Sequence, residues 1–334
     1  SRYANPKIGW EISHKMNVGF ELKLFNDLEI QAEYFKERRT NILQERADIP
    51  SLMGFQAPIR ANIGEAKGQG VDISLDYSHI FNKNLWTTIR GNFTYASSEF
   101  SEYEEPDYSA TPWRSKIGSK LSQTYGYIAE RLFVDDEDVA NSPKQQFGEY
   151  TAGDIKYKDM NGDKVINSDD RVAMGYNSTC PETYYSFSLG LEWKGLGFSA
   201  QFQGVGNYTA ILSGTYYHPL VDNTTISNYV YRNRWTPETP NARFPRLTTE
   251  TVDNNLQTSS LWLADRSFLK LRNCEVYYKL PSSWLNRFWV KNAKVYVRGV
   301  DLLCFDSIDQ LDPEAMNNSY PATRSIHVGL SVGF

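Results

Sequence analysis

Apolar residues fall on every second position through much of this chain. At its end Ile326, Val328, Leu330, Val332 and Phe334 alternate with His327, Gly329, Ser331 and Gly333. Successive side chains of a strand point to opposite faces, so this segment has one apolar face and one small or polar face. The same period runs through Val18, Phe20, Leu22 and Leu24, through Val71, Ile73, Leu75 and Tyr77, and through Tyr185, Phe187, Leu189, Leu191 and Trp193. The pattern predicts strands over 11–25, 28–43, 69–81, 85–97, 183–194, 196–212, 262–280, 291–304 and 322–334. Many are longer than the roughly five or six residues of an ordinary strand. They reach the ~9–11 residues that a tilted strand needs to cross a bilayer. No long amphipathic helix is expected. Two short helical turns are, at 281–288 behind Pro281 and at 227–235.

The connections alternate in length. Asn26-Asp27, Asn82-Lys83-Asn84 and Lys194-Gly195-Leu196-Gly197 read as tight turns. Residues 44–68, 98–112, 134–182, 213–261 and 305–321 read as long connections. Outer-membrane barrels have short periplasmic turns and long extracellular loops. A single strand between 112 and 133 would break that alternation, so a turn near Ser122-Gln123 is expected, with strands at 113–121 and 124–133. The fold expected is all-β: an antiparallel transmembrane β-barrel. Its count of about eleven strands is half of the roughly 22 in transporters with a plugged lumen. Residues 134–182 and 213–261 are expected as extracellular loops.

Composition agrees with this reading. The formal net charge is −5 and the chain has no basic run, which argues against a nucleic-acid partner. Aromatic residues make up 14%, as aromatic girdles at two membrane interfaces require. No apolar stretch of about 18 residues is available for a transmembrane helix. Cys180, Cys274 and Cys304 form no CxxC pair and are expected as small residues in strands or a loop. The opening Ser1-Arg2-Tyr3-Ala4-Asn5-Pro6 is no signal peptide, so an exported protein is expected to continue upstream.

One segment carries metal chemistry. In Asp159-Met-Asn161-Gly-Asp163-Lys-Val165-Ile-Asn167-Ser-Asp169-Asp170, oxygen-bearing residues recur at the spacing of a calcium loop. The ligands would be Asp159, Asn161, Asp163, the Val165 carbonyl, Asn167 and Asp170, with Ile166 at a buried apolar position. Calcium would act structurally. Lys164 stands where a glycine is usual, and Asp170 where a longer Glu is usual. The other reading is a solvated acidic turn held by Asx hydrogen bonds.

Other signals are weaker. His14, His79, His218 and His327 have no metal-ligand spacing, and no Gly-x-Ser-x-Gly or HExxH motif occurs, so no enzyme is expected. The run Glu99 to Asp107 reads as a solvated loop or a contact for substrate or lid. Tyr216, Tyr217, Tyr229, Tyr231 and Trp235 cluster in one long connection. They would touch substrate, or form that loop's own small core or a lid interface.

Several blocks, in order from residue 5 to 334, resemble the C-terminal half of SusC/RagA-type TonB-dependent transporters of Bacteroidota outer membranes. They are Asn5-Pro6 with Trp10-Glu11, Asn62-Ile-Gly64 with Gly68-Gln-Gly70-Val-Asp72, and Trp235-Thr-Pro-Glu238 with Pro245-Arg-Leu247. Further on come Leu261 to Asn273 running to Pro281, Val295 to Leu303, Leu311-Asp-Pro-Glu314 and Tyr320-Pro321. The family usually has Asn at the place of Asp301. The resemblance implies nutrient import of oligosaccharide or peptide, energised through TonB, with a SusD-like surface lipoprotein as lid. No plug or TonB box is recognisable in this chain. The alternative from another class is a calcium-dependent β-structured surface adhesin or structural interaction protein.

Overall fold

A computed structural model describes residues 3–220, 224–285, 290–316 and 320–334. Nine strands form one antiparallel sheet. They are β1 (Ile12–Leu24), β2 (Leu28–Glu45), β3 (Arg60–Asn82), β4 (Leu85–Glu102) and β5 (Thr183–Trp193). Then follow β6 (Leu196–Gly206), β7 (Phe268–Lys279), β8 (Asn292–Asp306) and β9 (Ser325–Gly333). Each pairs with its neighbours in chain order.

Register explains the alternation. Leu191, Phe198, Val276, Val297 and Val328 face one another in a single row across five strands. The next row is Trp193, Leu196, Tyr278, Val295 and Leu330. These side chains stay exposed: Val328 is 76% accessible and Val297 46%. In water such a face is unfavourable; in lipid it needs no cover, and the strands satisfy one another's backbone groups. The opposite face is polar, with Arg90, Ser188, Gln201 and Asn273 in one row. Glu275 is buried on it between Lys294, at 3.0 Å, and Arg298.

The two ends of the sheet differ. At one end the strands reverse tightly. Phe25 and Asn26 both take left-handed backbone, as do Lys194 and Gly195, the geometry that right-twisted hairpins require. The β7–β8 connection at this end carries a short helix, Ser282–Leu285; the rest of the expected 281–288 turn lies outside the described residues from 286 on. The exposed rings of Phe25, Phe81, Trp193, Trp284 and Phe334 gather at this turn end. At the other end lie long connections, 46–59, 103–182, 207–267 and 307–324.

The expected strands at 113–121 and 124–133 do not join the sheet; β4 pairs directly with β5. Residues 113–121 hold a 3-10 turn, Pro112–Arg114, and lean on the end of β4, where the Gly118 amide donates to the Phe100 carbonyl at 2.8 Å. Thr124–Gly126 pairs locally with Val172–Met174, and Ala129–Leu132 with Ile155–Tyr157. Likewise Thr209–Ile211 leaves β6 and pairs with Leu263–Asp265. Dropping two strands leaves the parity unchanged, so Phe334 still lies at the turn end.

The compact core lies outside the sheet. Tyr157, Ile166, Tyr217, Val230, Phe244, Trp262, Ile308 and others pack together from three connections, 103–182, 207–267 and 307–324. The long connections therefore fold as one body at the loop end.

Candidate functional site

The loop body is tied together by a buried polar network. Gln145 donates to the Ile155 carbonyl at 2.9 Å and to Asn254 Oδ1 at 2.6 Å, and accepts from the Tyr157 amide at 2.7 Å. Asn255 accepts the Ile155 amide at 2.9 Å and donates to Asp154 at 2.8 Å. Arg246 pairs with the fully buried Asp154 at 3.0 Å. Trp262 Nε1 donates to the Asn255 carbonyl at 2.8 Å. A buried polar group left unpaired is costly, so a satisfied network fixes how the connections dock. The sequence reading gave no role to Gln145, Asn254 or Asn255. Isolated amides carry no periodic signal.

The five aromatic residues divide. Tyr217 is buried in the core, and Tyr216, Tyr229 and Trp235 pack against it. Burial pushes the Tyr217 hydroxyl up to about 12. The Tyr229 hydroxyl donates to Asp309 at 2.7 Å. The expected short helix is present at Asn228–Arg232, with Ser227 capping the Val230 amide. Tyr231 on this helix is exposed, its ring under the Arg234 guanidinium at 3.9 Å. The arrangement brings four of the five residues into the loop core and one to the surface.

The Asp159–Asp170 turn is shaped by its own side chains. Asp159 accepts the Gly162 amide at 2.7 Å and the Lys164 amide at 2.8 Å. Asp163 accepts the Val165 amide at 2.8 Å, and Asn167 the Asp169 amide at 2.7 Å. Asp170, fully buried, accepts the Met160 and Asn167 amides at 2.8 and 2.9 Å. Asn161 bridges to Asp163 at 3.0 Å. Lys164 takes φ +66°, the left-handed backbone for which glycine is usual, and Ile166 is fully buried. Among the described residues no three His, Cys, Asp or Glu side chains converge as a metal site.

The acidic run is tied down. Glu99 pairs with Lys67 at 2.8 Å, and Glu104 with Arg46 at 2.7 Å. Glu105 accepts the Lys116 amide at 2.9 Å.

A further cluster escaped the sequence reading. Lys270, only 3% accessible, lies 2.7 Å from both Asp312 and Glu314. Arg272 pairs with Asp301 at 3.0 Å and with Glu314. The alternation Leu269-Lys270-Leu271-Arg272 was its signal: two cations on the polar face of β7 need carboxylates. Three resemblance blocks meet here, those around 261–273, 295–303 and 311–314.

Residues 1–162 match the family model described as TonB dependent receptor-like, beta-barrel. The chain is 26% identical to TonB-dependent receptor P26 of Formosa agariphila, over all of this chain and 36% of that protein. It is 25% identical to TonB-dependent receptor P3 of the same organism, over 99% of this chain and 35% of that one. The chain thus spans about a third of the length of the curated relatives it matches. In fold it is similar to a chain of the RagAB peptide transporter, with a TM-score of 0.70 and 22% identity over all of this chain and 36% of that one. With one apolar and one polar face, tight turns at one end and folded loops at the other, the chain is a β-barrel chain of the outer membrane similar to the TonB-dependent receptors, in keeping with its resemblance to SusC/RagA-type proteins.

Proposed function

We propose that this chain is barrel wall and outer vestibule of a TonB-dependent nutrient importer. The carrying observation is the two-faced sheet with a folded loop body at one end only. In this reading the apolar face meets lipid, the polar face lines the lumen, and the loop end faces outside. An open sheet edge in lipid is costly, so β1 and β9 pair with further strands of a closed barrel. Oligosaccharide or peptide would be captured at the loop body beneath a SusD-like lipoprotein and drawn inward by TonB through a plug. The similarity to a peptide transporter and to named TonB-dependent receptors supports import. The test is purification of the native protein from outer membranes in mild detergent, with subunit masses. A subunit about three times the 38.3 kDa of this chain, with a lipoprotein at equal stoichiometry, is expected. A lone 38.3 kDa species would sink transport.

We also propose that the Asp159–Asp170 turn takes calcium as a structural ion. Asp159, Asn161, Asp163, Asn167, Asp170 and the Val165 carbonyl would hold it. The left-handed Lys164 supports this, since the calcium-loop path is already followed there without glycine. Each carboxylate oxygen that accepts an amide retains a second lone pair. Binding must still draw the three acidic side chains together.

A further inference from the structure

At the loop end of β4 a cavity of about 470 Å³ opens between that strand and the 103–182 connection. Its lining includes four cations, Arg114, Lys116, Lys120 and Arg171, and no Asp or Glu. Two of the four are neutralised from outside the lining. Arg114 pairs with Asp169 at 2.5 Å, and Lys120 with the buried Glu182. Lys116 and Arg171 are exposed, and among the described residues neither has a carboxylate within ion-pair distance. The Lys116 ammonium rests on the Tyr103 ring, 4.5 Å from its centroid, and reaches the Tyr103 hydroxyl at 3.0 Å. Arg171 donates to the Tyr125 carbonyl at 2.8 Å, which fixes its guanidinium at the cavity. Glu105 lies close by and outside the lining, its carboxylate oriented by the Ser115 hydroxyl and the Lys116 amide. The cavity wall thus presents two cations with no ion-pair partner among the described residues, in a chain whose formal charge is −5. The rest of the lining is mostly hydroxyl and amide, Ser119, Ser168, Gln123 and three tyrosines, with Phe100 and Leu121 as its apolar part.

We propose that this cavity is a subsite for the anionic group of an acidic oligosaccharide, a uronate or a sulfated sugar. Lys116 and Arg171 supply the uncompensated charge, and the hydroxyl-rich wall suits a hydroxyl-rich ligand. The guanidinium of Arg171 offers paired donors in the geometry of a carboxylate or sulfate. The substrate class named here rests on the import reading above, while the binding itself does not require transport.

The test uses the full-length protein, purified from outer membranes, in titration calorimetry. Probes are tetragalacturonate, neutral cellotetraose of equal length, and tetraglutamate. Tetragalacturonate is expected to bind most tightly, and less so as salt rises. The double variant Lys116→Gln, Arg171→Gln should weaken it by about tenfold or more, with two charge-assisted contacts removed. The same variant should melt with the wild type, since neither side chain is buried. Equal binding of cellotetraose, or a double variant that binds tetragalacturonate as the wild type does, overturns the subsite. Tighter binding of tetraglutamate overturns the glycan assignment. Intact binding in a protein that supports no uptake leaves the subsite standing and sinks the import reading instead.

Discussion

Arg272 and Asp301 meet at 3.0 Å across a β-bulge, where two residues of β8 oppose one of β7. Asp301 occupies the bulge at φ +49°, a conformation that Asn and Asp adopt more readily than other side chains. Asp301→Asn should keep the bulge and lose only the negative charge that faces Arg272. Asp301→Val should cost about 1–2 kcal/mol more than Asp301→Asn, because a β-branched residue resists left-handed backbone. Urea midpoints of the two variants check this; equal midpoints would refute it.

Lys270 is the hub of the neighbouring network. Lys270→Met leaves Asp312 without a cation and Glu314 with Arg272 alone. Breaking a buried pair in this way costs about 3 kcal/mol. The loss should be seen first as faster proteolysis of the 307–324 connection. The double variant Lys270→Met, Asp312→Leu should recover part of it.

His218 gives the loop body a pH dependence. It packs edge-on to Trp262 at 4.5 Å, and burial lowers its pKa. A folded-state pKa below the unfolded value means that the unfolded chain binds the proton more readily. The loop body is therefore at full stability above about pH 6.5 and loses stability as pH falls below it. Protease resistance of the loops, followed from pH 7.5 down to 5, should decline in the wild type. The decline should be shallower in His218→Phe.

Tyr231 and Tyr217 separate packing from contact. Tyr217→Ala empties a core position and should cost about 3–5 kcal/mol. Tyr231→Ala removes an exposed ring and should stay within about 0.5 kcal/mol. Of the aromatic five, Tyr231 is thus the position where an altered uptake rate reports on substrate and not on folding. Unchanged uptake in Tyr231→Ala would remove substrate contact at that residue.

Lys164→Gly tests the acidic turn. Removing the side chain at φ +66° relieves left-handed strain and takes a positive charge from the loop. Calcium affinity, measured by isothermal titration, should rise in this variant. Proteolysis of the 103–182 connection should slow on calcium addition and quicken with chelator. Indifference to both would leave the Asx turn as the whole account.

The sheet was legible because lipid and lumen impose a period of two that sequence retains. Leu191, Phe198, Val276 and Val297 show it, and each stands on the face that the alternation predicts. The hairpin at Lys194-Gly195 was legible because its left-handed residues leave a chemical mark. The loop body was not. Thr124–Gly126 and Ala129–Leu132 look like stretches of membrane strand but find short local partners. Alternation does not state which partner a strand takes. The Gln145, Asn254 and Asn255 network has no period at all, since its members are fixed by contacts about a hundred residues apart.

The shared core at the loop end bears on how such proteins diverge. Trp262, Tyr157 and Ile308 come from three separate connections and pack as one cluster. A length change or graft in any one connection strips the others of their neighbours. A change of loop shape therefore involves all three connections together, or is confined to positions such as Tyr231 that the cluster does not own. The strand stretches nearer the turns, by contrast, meet lipid and adjoining strands, whereas at the loop end Lys270 and Arg272 bind β7 to the same folded body.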